Sequence, residues 1–167
     1  VFLQNNAWTG LLFLLGIFYN SAVLGMGALL GSIISTLSAK IFKYNNEEIE
    51  NGLYGFNGVL VGVAILFFFK TNIITISLVV VGSIFSTILM HYLKEKIPAY
   101  TSPFVISTWI VIYLLLIFIP NYFINSTGNI DSSINIFKTT TKGFGEVMFQ
   151  DNIITGVFFA VGILINS

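Results

Sequence analysis

The chain begins with VFLQNNAWTGLLFLLGIFYNS, residues 1–21, and ends with VMFQDNIITGVFFAVGILINS, residues 147–167. At this offset of 146 residues, ten of the 21 aligned positions are identical, and most of the others exchange one apolar residue for another. A long internal repeat indicates a fold built from two similar units. We therefore predict one complete repeat over residues 1–143 and the start of a second over residues 144–167, in a chain that is expected to be truncated.

The composition indicates a membrane protein. Of the 167 residues, 56% are hydrophobic and only 8% are charged, whereas about 25% are charged in a typical soluble domain. This predicts an all-α protein that crosses the lipid bilayer several times. The net charge is zero, so nothing points to nucleic acid. With one histidine, no cysteine and acidic residues mostly in loops, we expect no enzymatic activity, no metal and no cofactor.

Five apolar runs precede the second copy of the repeated motif, and they cover residues 7–20, 21–43, 53–69, 72–93 and 100–119. The second, fourth and fifth are long enough to span a bilayer, and the first is if its helix begins near Leu3. The third is short and rich in glycine at its start, which predicts an interrupted helix near GLYGFN. Five crossings would start the second copy from the opposite side of the membrane. Inverted repeats of this kind are typical of transporters and channels.

Small residues recur at helical spacing on two of these runs, at Gly27, Gly31 and Ser35 and again at Gly82 and Ser86. In lipid, small side chains allow two helices to approach closely. We interpret both stripes as helix packing surfaces rather than as parts of a pore.

Four groups of polar residues lie at or near membrane depth, where such groups usually face a cavity or a partner. They are residues 4–6, Asn57, Thr101, and Glu146 with residues 150–152. Each group could instead cap a helix or satisfy nearby backbone atoms. Glu146, Gln150 and Ile153 have the spacing of one helix face, with Val147 beside it. Such a face suits a small neutral solute that carries N–H donors and a carbonyl group.

The motifs QNNxxTGLL, NGLYGFNGVLVG, TSPF and EVMFQDN occur in this order along the chain. Together they resemble the channel-like urea transporters shared by bacteria and mammals. The resemblance implies a multi-pass protein of the cell membrane that forms a homotrimer. Each subunit would hold a slot between two inverted halves of five spans, through which urea passes down its gradient.

The resemblance also assigns roles to individual residues. Gln4 and Gln150 would lie near the two mouths of the slot, and Glu146, followed by Val147, would contact urea. The remaining candidate residues lie within the slot: Phe56 and Leu60 would line it, and Thr101 would form its central constriction. Some members carry an aromatic residue where this chain has Ala7 and Ile153.

Three other interpretations are open at the level of sequence. The nearest is a channel for a different small neutral solute, such as a short amide, ammonia or water. An intramembrane enzyme would need a nucleophile and base, a metal set or paired carboxylates. A structural membrane protein without a transport path would leave the repeated polar motif unexplained.

Overall fold

The computed structural model describes residues 7–118, 148–150 and 152–165, and these form seven α-helices. In chain order they are α1 (Ala7–Asn20), α2 (Ala22–Ile41), α3 (Asn46–Glu50), α4 (Leu53–Phe68), α5 (Ile73–Leu93), α6 (Ser102–Phe118) and α7 (Ile153–Ile165). The helices α1, α2, α4, α5 and α6 correspond to the five apolar runs of the sequence, and α3 is a short helix between the second and third runs.

Two of the described helices, α2 and α5, are long and apolar enough to cross a membrane by themselves. The apolar helices α1, α4, α6 and α7 are shorter, with 13 to 17 residues. The fifth run was expected to span as well, and 17 of its residues are helical up to Phe118, where the described segment ends.

The interrupted helix predicted near GLYGFN is not confirmed. Helix α4 continues without a break through Gly55 and Gly58. The chain instead bends before the helix, where Gly52 adopts the left-handed conformation with φ of +74°. Glycine tolerates this conformation because it has no Cβ atom. The glycines inside α4 do not break the helix. They allow it to pack closely against α2.

Helices α2 and α4 cross with their backbones in direct contact. A Cβ atom added to Gly31 would lie 2.0 Å from the Gly58 carbonyl oxygen, and one added to Gly62 would lie 2.0 Å from the Gly27 carbonyl oxygen. No side chain larger than hydrogen fits at these positions. The prediction that Gly27 and Gly31 form a packing surface is thus confirmed, and Gly58 and Gly62 supply the matching surface on α4.

The paired glycines show in which direction α4 runs relative to α2. Gly27 faces Gly62 while Gly31 faces Gly58, so α2 and α4 are antiparallel. Further contacts place the starts of α4 and α6 together with the end of α5, and we call this the Asn57 end of the bundle. The end of α1 and the end of α4 lie at the opposite end, which we call the Asn20 end.

Helix α7 packs antiparallel against α1, its counterpart in the sequence repeat. The Thr9 hydroxyl donates to the Gly162 carbonyl, and the Thr155 hydroxyl donates to the Gly16 carbonyl, both at 2.9 Å. Thr155 lies 146 residues after Thr9, and Gly162 lies 146 residues after Gly16. Each of these hydrogen bonds is therefore the equivalent of the other in the two copies of the motif, so the contact is symmetric.

The centre of this contact is a pair of stacked rings. Phe13 and Phe159 also lie 146 residues apart, and their ring centroids are 4.3 Å apart with nearly parallel planes. Both side chains are fully buried. Each ring lies over the glycine of the opposite helix, because a Cβ atom on Gly16 would approach Phe159 to 3.0 Å and one on Gly162 would approach Phe13 to 3.0 Å.

The backbone contact between α2 and α4 can be tested with Gly31→Ala. We expect it to lower the free energy of unfolding by about 1–3 kcal/mol, since overpacking a tight contact has this cost. Thermal unfolding in detergent, followed by size-exclusion chromatography, measures the effect. Gly10→Ala is the matched control, because among the described residues no atom outside its own stretch of helix lies within 4 Å of its added Cβ. A variant Gly31→Ala that is as stable as Gly10→Ala would contradict the contact.

The reciprocal hydrogen bonds of α1 and α7 predict a symmetric response to mutation. Thr9→Val and Thr155→Val should each lower the free energy of unfolding by about 1 kcal/mol, since each removes one buried hydrogen bond at nearly constant volume. Thr108→Val is the control, because the buried Thr108 hydroxyl has no hydrogen-bond partner among the described residues. Equal stability of all three variants in a thermal unfolding assay would show that the hydrogen bonds do not matter.

Candidate functional site

Two of the predicted slot residues lie one turn apart on α4. Phe56 and Leu60 are both almost completely buried. Phe56 lines a cavity of about 290 Å³ between α1, α2 and α4. Leu60 belongs to the adjoining hydrophobic core and does not line this cavity. The two side chains therefore share a helix but have different surroundings in the described part of the chain.

The cavity beside Phe56 has one apolar wall and one partly polar wall. Leu14 and Ile17 of α1 provide the apolar surface, whereas Ser32 and Thr36 of α2 bring hydroxyl groups to it. Sequence reasoning missed these two hydroxyls. The signal was their spacing of four residues, which puts both on one face of α2.

Asn57, the next residue after Phe56, connects α4 to the start of α6. Its side chain is fully buried. The amide nitrogen Nδ2 donates to the Tyr100 carbonyl at 3.2 Å, and the oxygen Oδ1 accepts from the Phe104 backbone N–H at 3.1 Å. The sequence suggested that Asn57 could satisfy backbone groups of its own helix. The partners at 3.2 Å and 3.1 Å instead belong to a distant segment, which contains Thr101.

Thr101 lies just before α6 and is exposed on the surface of the described bundle. Its carbonyl oxygen accepts from the Val105 N–H at 3.1 Å, which makes it the cap of that helix. Thr101 is also bracketed by the two residues that Asn57 holds. The structure thus brings three of the predicted slot residues, Phe56, Leu60 and Thr101, to the Asn57 end of the bundle and its immediate interior.

Gln150 lies at the other end. It is fully buried, its Nε2 donates to the Met148 carbonyl at 2.8 Å, and its Oε1 accepts from Asn20 Nδ2 at 2.7 Å. The amide therefore ties the end of α1 to the segment before α7. The other residues predicted near the mouths or next to urea, Gln4, Glu146 and Val147, lie outside the described residues.

The prediction that Gln150 and Ile153 share one helix face is wrong. Phe149 has a φ of +60°, in the left-handed region, and the helix begins only at Ile153. Asn152 caps it, with its Oδ1 accepting from the Ile154 N–H at 2.8 Å. Gln150 thus precedes the helix, because a left-handed residue cannot be part of a right-handed helical turn.

An ion pair and a tyrosine lie beside the start of α4. Lys94 forms a salt bridge with Glu48, and the Tyr54 hydroxyl donates to the same carboxylate at 2.8 Å. Burial alone would raise the pKa of Glu48, but the hydrogen bonds from Lys94 and Tyr54 outweigh it and hold this pKa below its ordinary value. Together with Tyr100, Glu48 and Lys94 border a second cavity of about 430 Å³.

Comparison with known proteins identifies the chain. The family described as "Urea transporter" matches residues 1–167, that is, the whole chain. The chain belongs to the urea transporter family. This is a family of membrane transport proteins rather than enzymes, so the expected absence of enzymatic activity agrees with it. The membership also agrees with the resemblance drawn from the sequence motifs.

The relatives of this urea transporter family member include mammalian proteins. Urea transporter 1 of Mus musculus is 26% identical over 186 residues, and that of Rattus norvegicus is 25% identical over 189 residues. Urea transporter 1 of Ovis aries is 22% identical over 186 residues. Each alignment covers 98% of this chain and 47% of the relative. The chain therefore spans about half the length of the curated relatives that it matches.

The ion pair predicts how the stability of this urea transporter family member depends on pH. Folding lowers the pKa of Glu48 below its ordinary value of 4.5. The resulting stabilisation is complete above pH 4.5 and is lost as the pH falls through the folded-state pKa. We expect Glu48→Gln to remove this part of the pH dependence, measured as the thermal midpoint between pH 7 and pH 3.

Glu47→Gln is the control for this experiment, since Glu47 is an exposed acid in the same short helix. It removes the same formal charge without removing the contact to Lys94. If Glu47→Gln and Glu48→Gln change the thermal midpoint equally at every pH, the ion pair does not contribute the acid-dependent stability.

Proposed function

We propose that this chain forms part of a passive, channel-like path for urea across the cell membrane. Urea would move down its concentration gradient through a slot at the interface between two inverted repeats. Membership of the urea transporter family supports the solute. The main observation in favour of two inverted repeats is the reciprocal contact of α1 with α7.

That contact supports inversion because of its direction. Two copies of one segment that pack antiparallel run through the membrane in opposite senses, as an odd number of crossings between them requires. The start of the second copy supports this further. Phe149 packs against Phe67 and Phe68 at the end of α4, and Gln150 bonds to Asn20 at the end of α1. We infer that residues 1–143 form the first repeat and residues 144–167 begin the second.

The chemistry of urea explains why such a slot needs hydrogen-bond acceptors on one wall and apolar or aromatic side chains on another. Urea is neutral, planar and well hydrated, and each polar group left unpaired in an apolar environment costs a few kcal/mol. Oxygen atoms along the slot would accept its N–H groups, each exchange with water being worth about 1 kcal/mol. Thr101, Gln4 and Glu146 are the proposed acceptors. Gln150, whose buried oxygen already accepts from Asn20, would accept from urea with its second lone pair. Phe56, Leu60 and Val147 would select a flat solute by shape.

The cavity beside Phe56 favours this proposal. Its lining includes the aromatic residue Phe56 of α4 and the hydroxyl-bearing residues Ser32 and Thr36 of α2. We propose that these hydroxyls add two acceptors to the wall opposite Phe56. On the family resemblance we further propose a homotrimer in the lipid bilayer of the cell membrane, with one slot in each subunit.

The proposal is tested by stopped-flow uptake into liposomes that contain the full-length protein. We expect urea to enter faster than into empty liposomes, with a rate proportional to its gradient and independent of ions. Parallel measurements with a short amide, ammonia and water identify the preferred solute. Uptake of one of these with no uptake of urea would replace the proposed solute, and uptake of none would refute the channel.

Glu146 provides the sharpest test of a single residue in the proposed path. If its carboxylate accepts urea N–H groups, Glu146→Gln should keep much of the flux, because an amide oxygen still accepts. Glu146→Leu should cost about 1–3 kcal/mol of solute stabilisation in a desolvated site, which changes the affected step about 5- to 150-fold. Flux is normalised to folded protein.

The contrasting result would identify Glu146 as a residue that contributes to stability but does not contact urea. In that case Glu146→Leu would lower stability but leave the flux per folded protein unchanged. That outcome would remove Glu146 from the set of urea contacts without affecting the other proposed acceptors.

A further inference from the structure

Asn57 lies in an apolar helix, yet its side chain contacts other parts of the bundle. Its Nδ2 donates to the Tyr100 carbonyl at 3.2 Å and lies 3.5 Å from the Leu53 carbonyl, while its Oδ1 accepts from the Phe104 N–H at 3.1 Å. The Sδ atom of Met90 on α5 is 3.8 Å away. A single buried amide thus contacts α4, α5 and the start of α6.

The segment that Asn57 holds is strained. Tyr100 has a φ of +40°, in the left-handed region that bulky residues avoid. Such a conformation persists only where the surrounding structure enforces it, and it is frequent at functional sites. Asn57 binds the carbonyl of this strained residue directly. It also binds the Phe104 N–H, one of the first-turn donors of α6 that have no partner within their own helix.

We propose that Asn57 is a positioning residue that holds Thr101 at the constriction of the urea path. This inference rests on the proposed function, which places Thr101 there. Thr101 lies between the two residues bound by Asn57, so both of its flanks are fixed to α4. Phe56, on the slot wall, is the direct neighbour of Asn57. One amide thereby sets the separation between the aromatic wall and the threonine.

The consequence is a role in selectivity. Selection of a small neutral solute depends on pore diameter and on the placement of hydrogen-bonding groups. If Asn57 is lost, the Tyr100 carbonyl and the Phe104 N–H lose their partners and the left-handed turn is free to relax. Thr101 would then shift relative to Phe56. The slot would keep its acceptors but discriminate less strictly between urea and bulkier relatives.

A double-mutant cycle tests this role. Urea and methylurea uptake are measured in liposomes with the full-length protein and with the variants Asn57→Leu, Thr101→Ala and the combination of both. We expect Asn57→Leu to lower the ratio of urea to methylurea flux about fivefold, the size expected if the displaced Thr101 no longer forms one good hydrogen bond to urea. In the Thr101→Ala background the same substitution should change the ratio much less, because sites that act through one another are not additive.

Asn72→Leu is the matched control. It removes the side chain that caps α5 and accepts from the N–H groups of Ile74 and Thr75, whereas Asn57 bonds to the segment at the start of α6. A merely structural role for Asn57 predicts that both leucine variants lower stability and leave the flux ratio unchanged. An equal loss of discrimination with and without Thr101 would also overturn the proposal. Asn57→Ala, which removes both hydrogen bonds without adding a larger side chain or a charge, is the milder variant if Asn57→Leu does not assemble, and an unchanged ratio there overturns the proposal too.

A second measurement separates this proposal from the proposed function. The 167 residues contain no cysteine, so Thr101→Cys places a single thiol in this part of the protein. Asn57→Leu should change its rate of reaction with a methanethiosulfonate reagent severalfold, and Asn72→Leu should not. Absence of urea uptake by the wild type would refute the proposed function. An unchanged labelling rate would refute the positioning role.

Discussion

The close crossing of α2 and α4 is the constraint on which the rest of the structure depends. Gly31 and Gly58 bring the two backbones within reach of each other's carbonyl oxygens, as do Gly27 and Gly62. Within lipid, where apolar side chains gain nothing by leaving water, such packing is a main source of helix association. Because the glycines fix the axial register of α4, they also fix the height at which Phe56 and Asn57 lie.

Helix α4 therefore has two faces with opposite chemistry. Gly58 and Gly62 face α2 and allow contact through the absence of side chains. Asn57 faces α5 and α6 and forms its contacts through a buried amide. Leaving the N–H or the oxygen of this buried amide unpaired would be costly, so the amide constrains the position of the Tyr100–Phe104 segment. The strained residue Tyr100, with a φ of +40°, lies at the start of this segment.

Local patterns in the sequence predicted the elements well and the long-range contacts poorly. The helices and the packing surface of α2 could be predicted because the composition and spacing that indicate them lie within a single helix. The partners of Asn57 lie 43 and 47 residues away, and no helical period links such distances. Two local errors have local causes. The glycines of α4 allow close contact instead of breaking the helix, and the left-handed Phe149 excludes Gln150 from α7.

The stacked rings of Phe13 and Phe159 limit where a solute could pass. They fill the centre of the contact between α1 and α7, at a centroid distance of 4.3 Å and with no exposed surface. The space between these two helices is thus filled, so the path of the proposed function would run beside them. The cavity that adjoins Leu14 and Ile17 lies on another side of α1, toward Phe56 and the hydroxyls of α2. The cavity therefore lies beside the contact of α1 with α7, in the space that α1, α2 and α4 enclose.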